Sequence, residues 1–183
     1  MRTVLVTCVA LGAAFGVVEV TMPAFGEAHG SRAQGGFALA CFALGSLVGG
    51  VWIGTRPAAR RLGIRFALSL ALLAVALIPP LVAPNLPVMC ALMLLAGMPI
   101  APAFAASYGL VGELTLPGTT NEAFAWLTTA IVTGLAIGTS GGGFAIGHLG
   151  LTGAIALAAP CAGLAALVAF ARLASLAIPE PVP

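Results

Sequence analysis

Six long apolar runs, separated by short polar gaps, fill nearly the whole chain: Val4–Phe25, Gly35–Gly54, Phe66–Ala83, Leu86–Val111, Ala123–Gly147 and Leu151–Phe170. Each is near the ~20 residues that carry a helix across ~30 Å of hydrocarbon. A barrel strand would be about half that length and would alternate polar with apolar positions, so the pattern predicts helices. The third run is the shortest, and Pro79, Pro80 and Pro84 crowd its end. Arg2 ahead of an apolar stretch also raises a signal-peptide reading. The run is longer than a typical signal core, however, and no small-x-small cleavage site follows it.

Composition settles the solvent. The chain is 61% hydrophobic and 7% charged, against roughly a quarter charged in an ordinary soluble domain. It has no lysine and no aspartate. A globular core of 183 residues cannot absorb so many apolar side chains, whereas lipid can. The expectation is an all-α polytopic membrane domain over residues 1–183, ending in a short tail at 177–183.

The net charge of +2 reports topology and gives no reason to expect nucleic acid as a partner. Arg56, Arg60, Arg61 and Arg65 share the gap between the second and third runs. With six spans both termini lie on the side of that gap, where Arg2 and Arg172 join the cluster and leave only Arg32 opposite. The positive-inside rule makes that side the cytoplasm.

The chain also repeats itself. Gly45-Ser46-Leu47-Val48-Gly49-Gly50-Val51-Trp52-Ile53-Gly54 closes the second run, and Gly138-Thr139-Ser140-Gly141-Gly142-Gly143-Phe144-Ala145-Ile146-Gly147 closes the fifth. Both fit G-[ST]-x-x-G-G-x-x-I-G. Three spans separate them, so the copies cross in opposite directions, as in an inverted 3+3 repeat with halves at about 1–83 and 84–176. Within the copies Gly45 and Gly49, and Gly138 and Gly142, recur one turn apart. That spacing predicts close helix contacts along the second and fifth runs, either static or sliding.

Little of the chain suits catalysis. Gly138-Thr139-Ser140-Gly141 matches the box of an intramembrane serine protease, but such an enzyme needs a histidine on another helix, and His148 follows on the same run. A phosphate loop needs a lysine. Cys8, Cys41, Cys90 and Cys161 are scattered singly, without metal or redox spacing, and His29 and His148 have no nearby partner ligands. No catalytic residue, metal or cofactor is expected.

Glu19 is the strongest single pointer. It is the only carboxyl well inside a run, ~9 Å before Phe25 at 1.5 Å per residue. An ionised group near the centre of a span costs about 2.5–3.5 kcal/mol on insertion scales, so such groups are functional by default. Glu19 could face a cavity and take up a proton or contact substrate; the alternative is a snorkelling or hydrogen-bonded packing residue. In the fourth run Gly97, Pro99 and Pro102 should loosen the helix, and broken helices at membrane depth are tolerated where they line a cavity. Tyr108 is a further substrate candidate or an interface anchor. Thr119 and Glu122 have the spacing of a capping box for the fifth helix.

From Gly97-Met98-Pro99-Ile100-Ala101-Pro102 through Pro117-Gly118-Thr119-Thr120-Asn121-Glu122-Ala123-Phe124-Ala125-Trp126 the chain resembles the C-terminal six-helix half of bacterial major facilitator superfamily transporters, particularly drug and sugar efflux permeases. The likeness runs over the whole chain and covers half of such a transporter. It implies that runs one and four line the cavity, two and five rock against the other half, and three and six face lipid. Gly50, Arg56, Arg60 and Arg61 resemble the family's gating loop, whose acidic residue is absent here. The expected function is transport of a small molecule by alternating access, as proton-coupled efflux across the bacterial inner membrane. Both termini would be cytoplasmic, and the partner would be a second six-helix half. The rivals are a six-helix transporter acting as a homodimer and a non-transporting membrane partner protein.

Overall fold

The computed structural model describes residues 1–56, 61–116 and 118–176; Arg60, Pro117 and the tail at 177–183 lie outside the described residues. Regular structure among the described residues is entirely helical. Helix α1 spans Arg2–Ala28, α2 Arg32–Gly54, α3 Leu62–Ala76, α4 Leu86–Gly97, α5 Ile100–Leu114, α6 Thr120–Ile155 and α7 Ala158–Ala171. Among the described residues five stretches are long and apolar enough to cross a membrane, namely α1, α2, Leu62–Val82, Leu86–Leu114 and α6, and α7 is a shorter apolar helix.

Each departure from six plain helices has a local cause. The third span ends α3 and finishes in a 3-10 turn at Pro79–Val82. The fourth starts cleanly, because Asn85 Oδ1 accepts from Val88 N at 3.1 Å, and then divides into α4 and α5. Pro99 and Pro102 have no N–H to offer to the carbonyls four residues back, those of Leu95 and Met98. Met98 N instead bonds Leu95 O in a tighter turn at 3.3 Å.

The fifth and sixth runs were expected to separate near Gly147–Leu151, and the break falls at Gly150 (φ 74°, ψ 176°). A Cβ would oppose that conformation, which glycine adopts freely. Helical bonding resumes on both sides, so α6 continues to Ile155, beyond the end of the fifth crossing. The sixth crossing starts at Leu151, turns at Ala156–Leu157 and continues as α7.

Packing follows the repeat. α1 lies along α6 and α2 along α4, while α3 packs on α7 and α5. Glycines set both long seams. A Cβ at Gly45 would collide with Leu94 O and one at Gly49 with Met98 O; in the other half Gly134 meets Val9 O and Gly138 meets Ala13 O. The facing helices answer in kind, with Gly97 against Phe42 O and Gly12 against Ile131 O. Each of these three glycine contacts of the first seam thus has its counterpart in the second. In each seam both sets of residue numbers rise together, as parallel neighbours require.

These contacts correct two expectations. Gly45 is matched by Gly134 and Gly49 by Gly138, so the two motif copies read in the sequence sit one helical turn out of structural register. The glycine ladders of the second and fifth runs, on the two helices expected to rock against another half, are spent inside the bundle against the fourth and first. Gly142 makes only ordinary contact with Val17 and Val20, and Gly54, Gly141, Gly143 and Gly147 meet nothing. What α2 and α6 present outward is bulky: Leu44, Leu47 and Val51 on one, Trp126, Ile137 and Phe144 on the other.

Candidate functional site

Glu19 stands on α1 one turn beyond Phe15, and its side chain is exposed at the rim of a pocket of about 440 Å³ open to one side. Three helices line it, each with residues one turn apart: Phe15 and Glu19 from α1, Phe42 and Ser46 from α2, Ile100 and Phe104 from α5. Residues four apart share a helix face, so each helix points at least one such pair at the same space, and α2 adds Leu39 and Ala43. The Phe15 and Phe42 rings meet with centroids 5.8 Å apart, tilted by 41°. The walls are therefore largely aromatic and aliphatic, with Glu19 and the Ser46 hydroxyl as polar groups. Such a pocket can hold an apolar body and offer it one carboxyl group and one hydroxyl.

The structure distributes the other predicted residues differently. Tyr108 stacks on Phe124 of α6, ring centroids 5.7 Å apart, and is absent from the lining of the Glu19 pocket. Gly97 is buried in the α2–α4 seam. Pro99 and Pro102, expected on the Glu19 cavity, line a second cavity of about 530 Å³ between α2, α3 and the α4–α5 junction. Their neighbours Ile100 and Phe104 take the Glu19 side. Arg61 and Arg65 lie at the end of that second cavity, and the Arg56 guanidinium rests 4.2 Å from the centre of the Trp52 ring.

Polar groups near the helix ends are satisfied locally. The capping box does not form: Thr119 Oγ1 donates to Leu116 O at 3.1 Å, and Glu122 Oε1 accepts from Trp126 Nε1 at 3.4 Å. His29 and His148 each lie 2.9 Å from the carbonyl four residues earlier and stack on a phenylalanine, Phe25 and Phe144 respectively. No group of three metal-ligating side chains occurs among the described residues. The cysteines are less scattered than the sequence suggests, since the register that sets Gly45 on Leu94 O and Gly49 on Met98 O brings Cys41 and Cys90 to the same level of the α2–α4 seam.

Sequence reading singled out Glu19 and not the residues that share its pocket, among them Phe15, Phe42, Ser46 and Phe104. The available signal was a polar residue or a second bulky one a single turn from a phenylalanine, repeated on three spans. Compared with known proteins, residues 4–183 match the model of the family described as the Major Facilitator Superfamily. No curated protein and no solved structure gave a match.

Proposed function

The chain belongs to the Major Facilitator Superfamily, and we propose that it is the C-terminal half of a proton-linked efflux permease of the bacterial inner membrane. Its family is one of membrane transporters rather than enzymes, and its apolar helices make it a multi-pass membrane protein. The observation that carries the finer reading is the Glu19 pocket. A single carboxyl group stands over an aromatic-walled space built from the first, second and fourth spans, and the space is open on one side. A second six-helix bundle facing it would complete a central site around which two bundles could rock.

The arginines at one end of the bundle support an orientation with both termini in the cytoplasm. A homodimer is the second reading, because the outward faces of α2 and α6 suit another copy as well as a different half. The test of coupling is Glu19→Gln in the complete transporter. Proton-driven transport should be abolished while insertion and expression stay normal. Unchanged proton-coupled transport by a well-inserted variant would remove Glu19 from the mechanism.

A further inference from the structure

The cavity of about 530 Å³ is lined by no carboxylate among the described residues and takes no part in the proposed coupling, yet its chemistry is specific. It runs along α3 from Arg61 and Arg65 at one end to Ala76 at the other, with Trp52, Leu68 and Leu95 among its walls. Those three side chains are each at least half exposed in the bundle, so the cavity is a groove on the surface presented to surrounding hydrocarbon. From Arg65 to Ala76 the helix rises ~16 Å at 1.5 Å per residue, close to the ~15 Å depth of one leaflet of a ~30 Å core. The groove therefore has the length of a lipid chain.

The charges lie at its water-facing end. Arg65 Nε is buried without a hydrogen-bond partner among the described residues. Among the described residues no carboxylate pairs with Arg61 or Arg65. A buried donor left unmade is costly, and a guanidinium presents donors in a fork that matches phosphate oxygens. Arg56, held over the Trp52 ring at the same end, adds a third positive charge. The sixth span, which the repeat pairs with the third, opens with Leu151-Thr152-Gly153 and carries no arginine there.

We infer that this groove is a binding site for one anionic phospholipid of the leaflet at the arginine end, with an acyl chain along α3 and the phosphate on Arg65 and Arg61. The site needs neither Glu19 nor a second bundle, so it stands or falls apart from the proposed transport mechanism.

The test uses the full chain in nanodiscs of mixed phosphatidylglycerol and phosphatidylcholine, with retained lipid identified by native mass spectrometry. Wild type should keep phosphatidylglycerol in preference, at one per chain. Arg65→Gln should weaken that retention about tenfold, the loss of one charge-assisted contact, and Arg65→Lys should restore part of it. Ala76→Trp, which fills the far end of the groove without touching an arginine, should weaken it similarly, whereas Leu44→Trp on the outer face of α2 should not. Ala76→Trp also keeps the test decisive should Arg65→Gln fail to fold. Equal retention of the two lipids by wild type would overturn the site. So would loss with Arg65→Gln but not with Ala76→Trp, since that pattern reports headgroup attraction alone. Displacement of the bound lipid by millimolar inorganic phosphate would show the ligand to be a free anion and overturn the lipid assignment.

Discussion

Gly49 and Gly138 hold equivalent posts, each pressed against a backbone carbonyl of the neighbouring span, Met98 O and Ala13 O. Neither carbonyl can move without its helix. A single methyl group at either glycine should force the seam apart and destabilise the fold by about 1–3 kcal/mol, the usual range for overpacking. Gly141 and Gly147 lie on the same helix as Gly138 with nothing in reach of a Cβ. There alanine should be neutral or stabilising by up to ~1 kcal/mol, because it is the better helix former. Thermal unfolding of the four single variants in detergent checks the prediction through its sign. Destabilisation at Gly141 equal to that at Gly138 would refute the assigned seam. The same contrast explains what was legible at this scale. Glu19 stands out in any apolar span, because a carboxyl in lipid needs a reason. Phe15, Phe42 and Phe104 do not, because a phenylalanine facing a pocket and one facing lipid obey the same hydrophobic rule. Only the placement of α1, α2 and α5 tells them apart.

Helices were legible from length alone, and their interruptions only in part. The first run at Val4–Phe25 lies within α1, and the second, Gly35–Gly54, lies within α2 and shares its end. The prolines announced that the fourth span would break but not which way its faces would turn. The expected cavity helix in fact serves two cavities, with Ile100 and Phe104 on the Glu19 pocket and Pro99 and Pro102 on the other. The repeat was legible as a repeat and misread in register for a related reason. A ladder of glycines one turn apart matches itself after a shift of one turn, so sequence identity cannot choose between registers that differ by four residues. Backbone contacts can. Cys41 and Cys90 offer a chemical check on the α2–α4 seam, since the register that sets Gly45 on Leu94 O and Gly49 on Met98 O places them opposite one another. Mild oxidation of the membrane-embedded chain should consume this pair, leaving Cys8 and Cys161 to be alkylated after denaturation. Mass mapping of the alkylated peptides reads the outcome, and four freely alkylated cysteines after oxidation would displace the seam from its assigned register.

At the scale of the whole molecule the bundle is well packed within and unfinished outside. Its glycine seams are closed, and all its close backbone approaches at Gly45, Gly49, Gly134 and Gly138 are made within the chain. By contrast the outer faces of α2 and α6 carry large, exposed apolar side chains, and the Glu19 pocket is open to one side. Lipid can cover those faces, because lipid tails are as apolar as leucine. Lipid cannot supply the second wall of a central site, which alternating access requires. The chain by itself should therefore fold and insert yet fail to transport. Association with another bundle would bring shape complementarity at α2 and α6, since van der Waals packing rather than hydrophobicity drives helix assembly in membranes. The decisive measurement is reconstitution of the purified chain into vesicles, with its oligomeric state determined and candidate efflux substrates assayed under a proton gradient. Inactivity as a monomer, with activity restored by co-reconstituting a complementary six-helix half, is the expected result. Transport by a verified monomer would refute the half-transporter reading. Transport confined to a dimer would put the two-copy transporter in its place, with one Glu19 pocket facing the other across the α2 and α6 surfaces.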